Sequence, residues 1–152
     1  MWGETKGYTA EQVTGGERAF DDKSYKAKDI STNLTLEQDA AHVHMSGKWR
    51  MPTMAEYHEL IKKCNVMWTD DYNGTGVKGC IFTSKVNGKS VFFPAAGNCS
   101  SQFVGGVGSL ANYWSASLSS SSRAWYLYFN SGGQGLDDSY RFYGRSVRGV
   151  FK

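Results

Sequence analysis

The stretch Trp125-Tyr126-Leu127-Tyr128-Phe129-Asn130 alternates with a period of two, which predicts a strand with Trp125, Leu127 and Phe129 on one face and Tyr126, Tyr128 and Asn130 on the other. Upstream of it, Cys80 to Val86, Asn87-Gly88 and Lys89 to Pro94 predict a hairpin with a tight turn, and Val91, Phe92 and Phe93 form its buried half. Downstream, Tyr140 to Phe151 is expected to close the domain as a strand bulged at Gly144. Asn73-Gly74, Gly76, Gly97, Gly105-Gly106 and Gly108 are the turn signals that space the short strands.

The first half reads differently. Thr35 and Gln38 have capping-box spacing, and Leu36, Ala40 and Val43 recur at helical intervals, so a short helix is expected from about 35 to 43. Thr53 with Glu56 repeats the signal. Behind it Tyr57, Leu60, Ile61 and Cys64 make one apolar stripe opposite Glu59, Lys62 and Lys63. Helices followed by strands, with no βαβ alternation, predict an α+β class.

At 152 residues and 16.8 kDa the chain has the size of a single domain spanning 1–152. With 40% hydrophobic and 20% charged residues it falls outside the disordered range. A net charge of +3 without a basic cluster argues against nucleic acid as a partner. The longest apolar run, Val91 to Ala96, is too short for a bilayer span, so no membrane insertion is expected within the chain, and Met1-Trp2-Gly3-Glu4 lacks a charged-then-apolar signal pattern. Cys64, Cys80 and Cys99 are odd in number and have no C-x-x-C spacing, which speaks against a disulfide framework or a zinc site.

One compositional feature is positional. None of the 11 lysines and 6 glutamates lies between Ser90 and Phe151, where an even spread would place about seven. The same stretch holds the serine run Ser119 to Ser122 and interleaves Tyr126, Tyr128, Tyr140 and Tyr143 with Arg123, Arg141 and Arg145. Tyr gives large contact area at little entropic cost, Ser and Gly give adaptable hydrogen bonds, and Lys and Glu are depleted at interfaces, so this is the chemistry of a paratope. Gly/Ser-rich surface loops with Tyr packed on strands would have the same composition.

A longer pattern runs through the chain: Trp2-Gly3-Glu4-Thr5, Asp39-Ala40-Ala41-His42, and Gly47-Lys48-Trp49-Arg50-Met51-Pro52-Thr53 with Glu56 and Leu60. It continues with Asn73-Gly74, Val77 and Gly79, Phe93-Pro94-Ala95-Ala96-Gly97, Tyr113-Trp114-Ser115-Ala116-Ser117, Ala124 with Leu127 and Phe129, and Arg141 with Gly144, Ser146, Val147, Arg148 and Val150. In this order the motifs resemble the Fibrobacter-type major paralogous domain of Bacteroides-group bacteria and gut phages. The resemblance covers nearly the whole chain.

It implies a C-type-lectin-like fold, shared with formylglycine-generating enzymes and with variable proteins of diversity-generating retroelements. In the variable proteins, adenine-directed mutagenesis rewrites a C-terminal segment that forms the ligand-binding surface. Mutated Asn codons yield Tyr, Ser, Gly, Asp, Arg, Leu, Phe or Asn, never Lys or Glu, which matches the gap above. Trp125 and Gln134 fall outside that codon set and are expected to be fixed or templated differently. The resemblance divides the domain into a scaffold, 1–104, and a candidate variable segment, 105–152. Within that segment Tyr113, Trp114, Ser115, Ala124, Leu127, Phe129, Gly144, Ser146, Val147 and Arg148 match the framework and are expected to be structural. The positions between them are the candidate ligand contacts: Leu110, Asn112, Leu118, Arg123, Tyr126, Tyr128, Asn130, Asp137, Asp138, Tyr140, Phe142 and Tyr143.

No enzyme is expected. Formylglycine-generating relatives depend on a cysteine pair in the C-terminal part, and the last cysteine here is Cys99. No cofactor is implied. The calcium signatures of carbohydrate-binding C-type lectins do not occur, although Asp70-Asp71 or Asp137-Asp138 could each help hold a structural calcium ion. His42, His44 and His58 offer at best a weak metal pair. Two functions stay open: a hypervariable module on a phage virion or bacterial cell surface that engages a protein or glycan receptor, and an invariant adhesin or spacer domain of a surface lipoprotein.

Overall fold

The computed structural model describes residues 1–151, which form three α-helices and ten strands in an α+β arrangement. Helix α1 (Ala10–Thr14) starts at Thr9, whose hydroxyl accepts from the Gln12 amide while the Gln12 side chain accepts from the Thr9 amide. The box expected at Thr35 and Gln38 forms, but it opens only a 3-10 turn, Leu36–Gln38. Asp39 then leaves helical geometry and caps α2 (Ala40–Met45), accepting from His42 N at 3.0 Å and from Met51 N at 2.7 Å. The helix expected over 35–43 is therefore two pieces, because the buried Asp39 caps the second and holds the Met51 amide instead of continuing the turn. Leu36 and Val43 consequently face solvent, and Ala41 is the buried residue.

Strand β1 (Trp49–Arg50) leads into α3 (Met54–Lys63). There the Thr53–Glu56 box closes as expected, and the helix turns Tyr57, Leu60, Ile61 and Cys64 into the core. Strands β2 (Cys64–Thr69), β3 (Gly79–Ser84) and β4 (Ser90–Pro94) make an antiparallel sheet in the order β2-β3-β4. The β3–β4 hairpin sits where the sequence puts it, but β3 stops two residues before Val86. The Ser84 hydroxyl accepts from the Val86 and Asn87 amides, which ends the ladder and leaves Val86 at the exposed tip.

The larger sheet contains β5 (Ala96–Ser100), β6 (Phe103–Val107), β7 (Leu110–Leu118), β8 (Arg123–Asn130) and β9 (Gly133–Tyr140), in the order β6-β5-β7-β8-β9. Its pairs are antiparallel except for a parallel contact at Gly97 and Ala111. The single long strand expected over 140–151 does not form. Beyond Tyr140, which ends β9, only β10 (Val150–Phe151) is a strand, paired with β1. The segment between is tied to β5 and β7 by short bridges, with Cys99 N donating to Gly144 O at 2.7 Å and Trp114 N donating to Ser146 O at 3.0 Å. Gly144 is no bulge but a contact point: a Cβ there would lie 2.6 Å from the Phe20 ring and 2.7 Å from the Cys99 Cβ.

Each face of β7 and β8 carries a core over part of its length. On one, Tyr57, Phe82, Phe93, Tyr113, Leu127 and Phe129 form a core with edge-to-face ring contacts. On the other, Trp2, Ile30, Met51, Trp114, Ala116 and Ala124 form a second core. The β8 face expected to be open is thus closed at its Ala124 end and open only toward Tyr128 and Asn130. Trp125, expected in the core, is half-buried. No described helix is long and apolar enough to cross a membrane.

The second core is pinned by Arg141, which is 2% exposed. Its Nη1 donates to Ile30 O at 2.6 Å, and its Nη2 donates to Lys28 O at 2.9 Å and Ser121 O at 2.6 Å. The guanidinium lies over the Trp2 and Tyr25 rings. Arg141→Met is expected to destabilise the protein by about 2–4 kcal/mol, because the buried Ile30 carbonyl and the part-buried bonds to Lys28 and Ser121 lose their donor. Guanidinium unfolding checks this, and a loss below about 1 kcal/mol would contradict it. At the start of α3, Arg50 of β1 together with the Thr53 amide holds the Glu56 carboxyl down at about 2. A depressed acid stabilises the fold fully above its ordinary value of 4.5 and loses that contribution as pH falls toward 2. Thermal melts of Glu56→Gln should accordingly show a shallower fall than wild type across that acid window.

Candidate functional site

The register of the large sheet brings half of the candidate contacts together. Across β7 and β8, Leu110 faces Asn130, Asn112 faces Tyr128 and Trp114 faces Tyr126; across β8 and β9, Tyr126 faces Asp137 and Tyr128 faces Gly135. Directly opposed residues share a face. Leu110, Asn112, Tyr126, Tyr128, Asn130 and Asp137 therefore line one shallow depression of about 270 Å³ at the uncovered end of the sheet.

Each lining side chain is held by local chemistry. The Tyr128 ring lies across the backbone of β9, where a Cβ at Gly135 would come within 2.8 Å of its Cζ atom. Asn130 Oδ1 accepts from Gly132 N at 2.7 Å and fixes the β8–β9 turn. Tyr126 stands half-buried against Trp114, its hydroxyl 3.4 Å from Asp137 Oδ2, and burial raises its pKa. Asn112 is mostly buried and forms the floor. Its amide is satisfied in one orientation only, with the nitrogen donating to Ala111 O at 3.2 Å and the oxygen accepting from Arg145 Nη1 at 3.1 Å.

The other six candidates lie elsewhere. Leu118 and Tyr143 pack against the second core, and so are less available than expected. Asp138 points to the opposite face from Asp137. It accepts from Arg123 Nε at 2.7 Å and from the Ser119 hydroxyl. Tyr140 lies under the Arg123 guanidinium and stacks on Phe142 at 5.2 Å, and these two rings border a separate hollow of about 330 Å³ with Lys28 and Ser122. The adjacent acids Asp137 and Asp138 thus diverge. Asp70 bonds the Trp68 indole while Asp71 accepts from Gly76 N, and among the described residues no three His, Cys, Asp or Glu side chains converge on a common point.

Of the framework positions, Tyr113, Trp114, Ser115, Ala124, Leu127, Phe129 and Gly144 are buried. Arg148 is tied to the Phe92 carbonyl, and Val147 is exposed.

Arg145 is the residue that sequence reasoning missed. It sits against two of the depression's lining residues, Asn112 and Tyr126, with its guanidinium 3.7 Å from the Tyr126 ring centroid, 4.8 Å from Trp114 and 5.9 Å from Tyr143. Desolvation lowers its pKa to about 10, so it stays charged at any physiological pH. The one sequence signal was the interleaving of Arg with Tyr. A strand reading of 140–151 could not indicate that Arg145 would reach back to β7 and β8.

Two tyrosines, two amides and one acid surround the small concavity, the kind of groups that fix the orientation of a bound ligand. Gly135→Ala is expected to displace the Tyr128 ring while changing stability by about 1 kcal/mol or less, because the clash falls on the far end of a movable side chain. NMR of the Tyr128 ring protons checks this, and an unmoved ring would contradict the packing described. Comparison of the chain with protein-family models, with curated proteins and with solved structures finds no match.

Proposed function

We propose that the depression on β7, β8 and β9 is the ligand-binding surface of a non-enzymatic recognition module, a variable protein with a C-type-lectin-like fold shown on a phage virion or bacterial cell surface. The observation that carries this reading is convergence. Six residues picked as contacts by their place between framework motifs line one concavity, although they come from three strands and span positions 110 to 137. Leu, Asn, Tyr and Asp, the types found there, all belong to the set that mutated Asn codons supply.

The backbone support is of the kind a changeable surface needs. Leu127 and Phe129 are buried on the opposite side of β8 from Tyr126 and Tyr128, so exchanging the tyrosines alters the concavity and leaves the first core in place. Contacts placed on paired strands also keep their spacing better than contacts on loops, which lowers the ordering cost of binding.

Binding of labelled protein to a panel of bacterial cells and their surface extracts tests the proposal. Tyr128→Ala, at an exposed position, is expected to lower affinity at least tenfold with the fold intact, whereas Val86→Ala at the distant hairpin tip should change nothing. Equal binding by wild type and Tyr128→Ala would overturn the assignment of this surface.

A further inference from the structure

Five exposed large apolar side chains gather around α2, the β1–β10 pair and the 144–149 segment: Leu36, Met45, Val107, Val147 and Phe151, from 38% exposed at Val147 to 67% at Val107. Single apolar residues on a surface are ordinary, whereas a contiguous group marks a contact surface. Three hollows of about 490, 430 and 350 Å³ run through this group in a row. The first and second share Met45, Val147 and Gly149, and the second and third share Trp49. Gly149 keeps the row open, since a Cβ there would lie 2.9 Å from the Met45 Sδ and 3.2 Å from the Trp49 ring. The Trp49 ring in turn meets Phe151 edge-on at 5.3 Å. None of the three hollows shares a residue with the depression on β7, β8 and β9.

The free charge along the row has one sign. Lys6 stands on the wall of the first hollow and Lys48 on that of the third, both exposed. Among the described residues, neither has a carboxylate at salt-bridge distance. The one carboxylate on the walls belongs to Glu4, which is taken by Arg18 at 2.7 Å and by the Lys26 amide. A second copy docked through the same patch would add cations to a cationic rim, so the complementary partner is acidic. Adjoining open hollows also suit the side chains of one passing segment better than a single enclosed small molecule. In an extended chain alternate side chains fall on one side about 7 Å apart.

We propose that this row of hollows is a docking groove for an extended segment of a partner protein in which large apolar side chains alternate with acidic ones. The apolar side chains enter the hollows and the acids meet Lys6 and Lys48. The groove gives the module a second attachment surface, independent of ligand binding at the depression.

Selection of a random peptide library on the immobilised protein, followed by fluorescence-anisotropy titration of the enriched peptides, tests the proposal. The expected result is peptides that carry Asp or Glu between Leu, Phe or Trp. Met45→Asp, at an exposed position, should weaken their binding about tenfold and Lys48→Glu about threefold, whereas Tyr128→Ala should leave it unchanged. Exchanging the acids of an enriched peptide for Lys should abolish binding, a comparison made on the wild-type protein that stands even if a variant fails to fold. No enrichment, enrichment of neutral or basic peptides, or binding that Tyr128→Ala removes and Met45→Asp leaves intact would each overturn the proposal. So would binding to phosphatidylglycerol–phosphatidylcholine vesicles that depends on Met45 and comes without peptide binding, which would make the face a membrane contact. A dimer in sedimentation that Phe151→Asp dissolves would overturn it in favour of self-association. Cell binding by Tyr128→Ala decides the role of the depression separately, whichever way the groove is decided.

Discussion

Arg141 joins parts of the chain that sequence distance keeps far apart. Its three carbonyl acceptors come from the segment before α2 and from the loop before β8, and its guanidinium covers Trp2, whose indole in turn donates to Ser115 O on β7. The hydrogen bonds that offset this buried charge all come from the two Nη atoms, the Nε being a buried donor without a partner, so the charge depends on those carbonyls staying in place. The segment ahead of α2 is held against the back of β7 and β8 by that requirement, and the second core forms beneath it.

The existence of two cores on opposite faces of the same strands decides where a site can be. At the Ala124 end both faces are covered. At the Tyr128 end the first core still supports one face, while the other has nothing over it. The concavity is this uncovered end, with a floor as rigid as the core behind it. Arg145 marks the border, since its flanks pack on Trp114 and Tyr143 of the second core and its head meets Asn112 and Tyr126 of the open surface.

Much of this was legible from local pattern. Period-two alternation located β8 and separated Leu127 and Phe129 from Tyr126 and Tyr128, and the Thr53–Glu56 box located α3. Alternation and register together place Leu110, Asn112, Tyr126, Tyr128, Asn130 and Asp137 on one face. What local pattern could not give was tertiary in origin. Asp39 breaks its helix to serve Met51, a residue twelve positions on, and no periodicity encodes that choice. Strand β5, Ala-Gly-Asn-Cys-Ser, has little propensity of its own; it is extended because β6 and β7 supply partners. The 141–149 segment looks like a strand by composition, yet it bridges β5 and β7, and that tertiary use sets Arg145 against Asn112 and Tyr126 and packs Tyr143 on the second core.

The central claim is that a fixed scaffold presents a surface that changes. Sequencing the coding locus and its flanks across a culture or community sample tests it most directly. The account predicts codon changes at Leu110, Asn112, Tyr126, Tyr128, Asn130 and Asp137, matched to adenines in a nearby repeat, with Trp114, Ala124, Leu127, Phe129, Arg141 and Gly144 constant. A locus with no such repeat, whose few changes are scattered over the scaffold and the concavity alike, would contradict it.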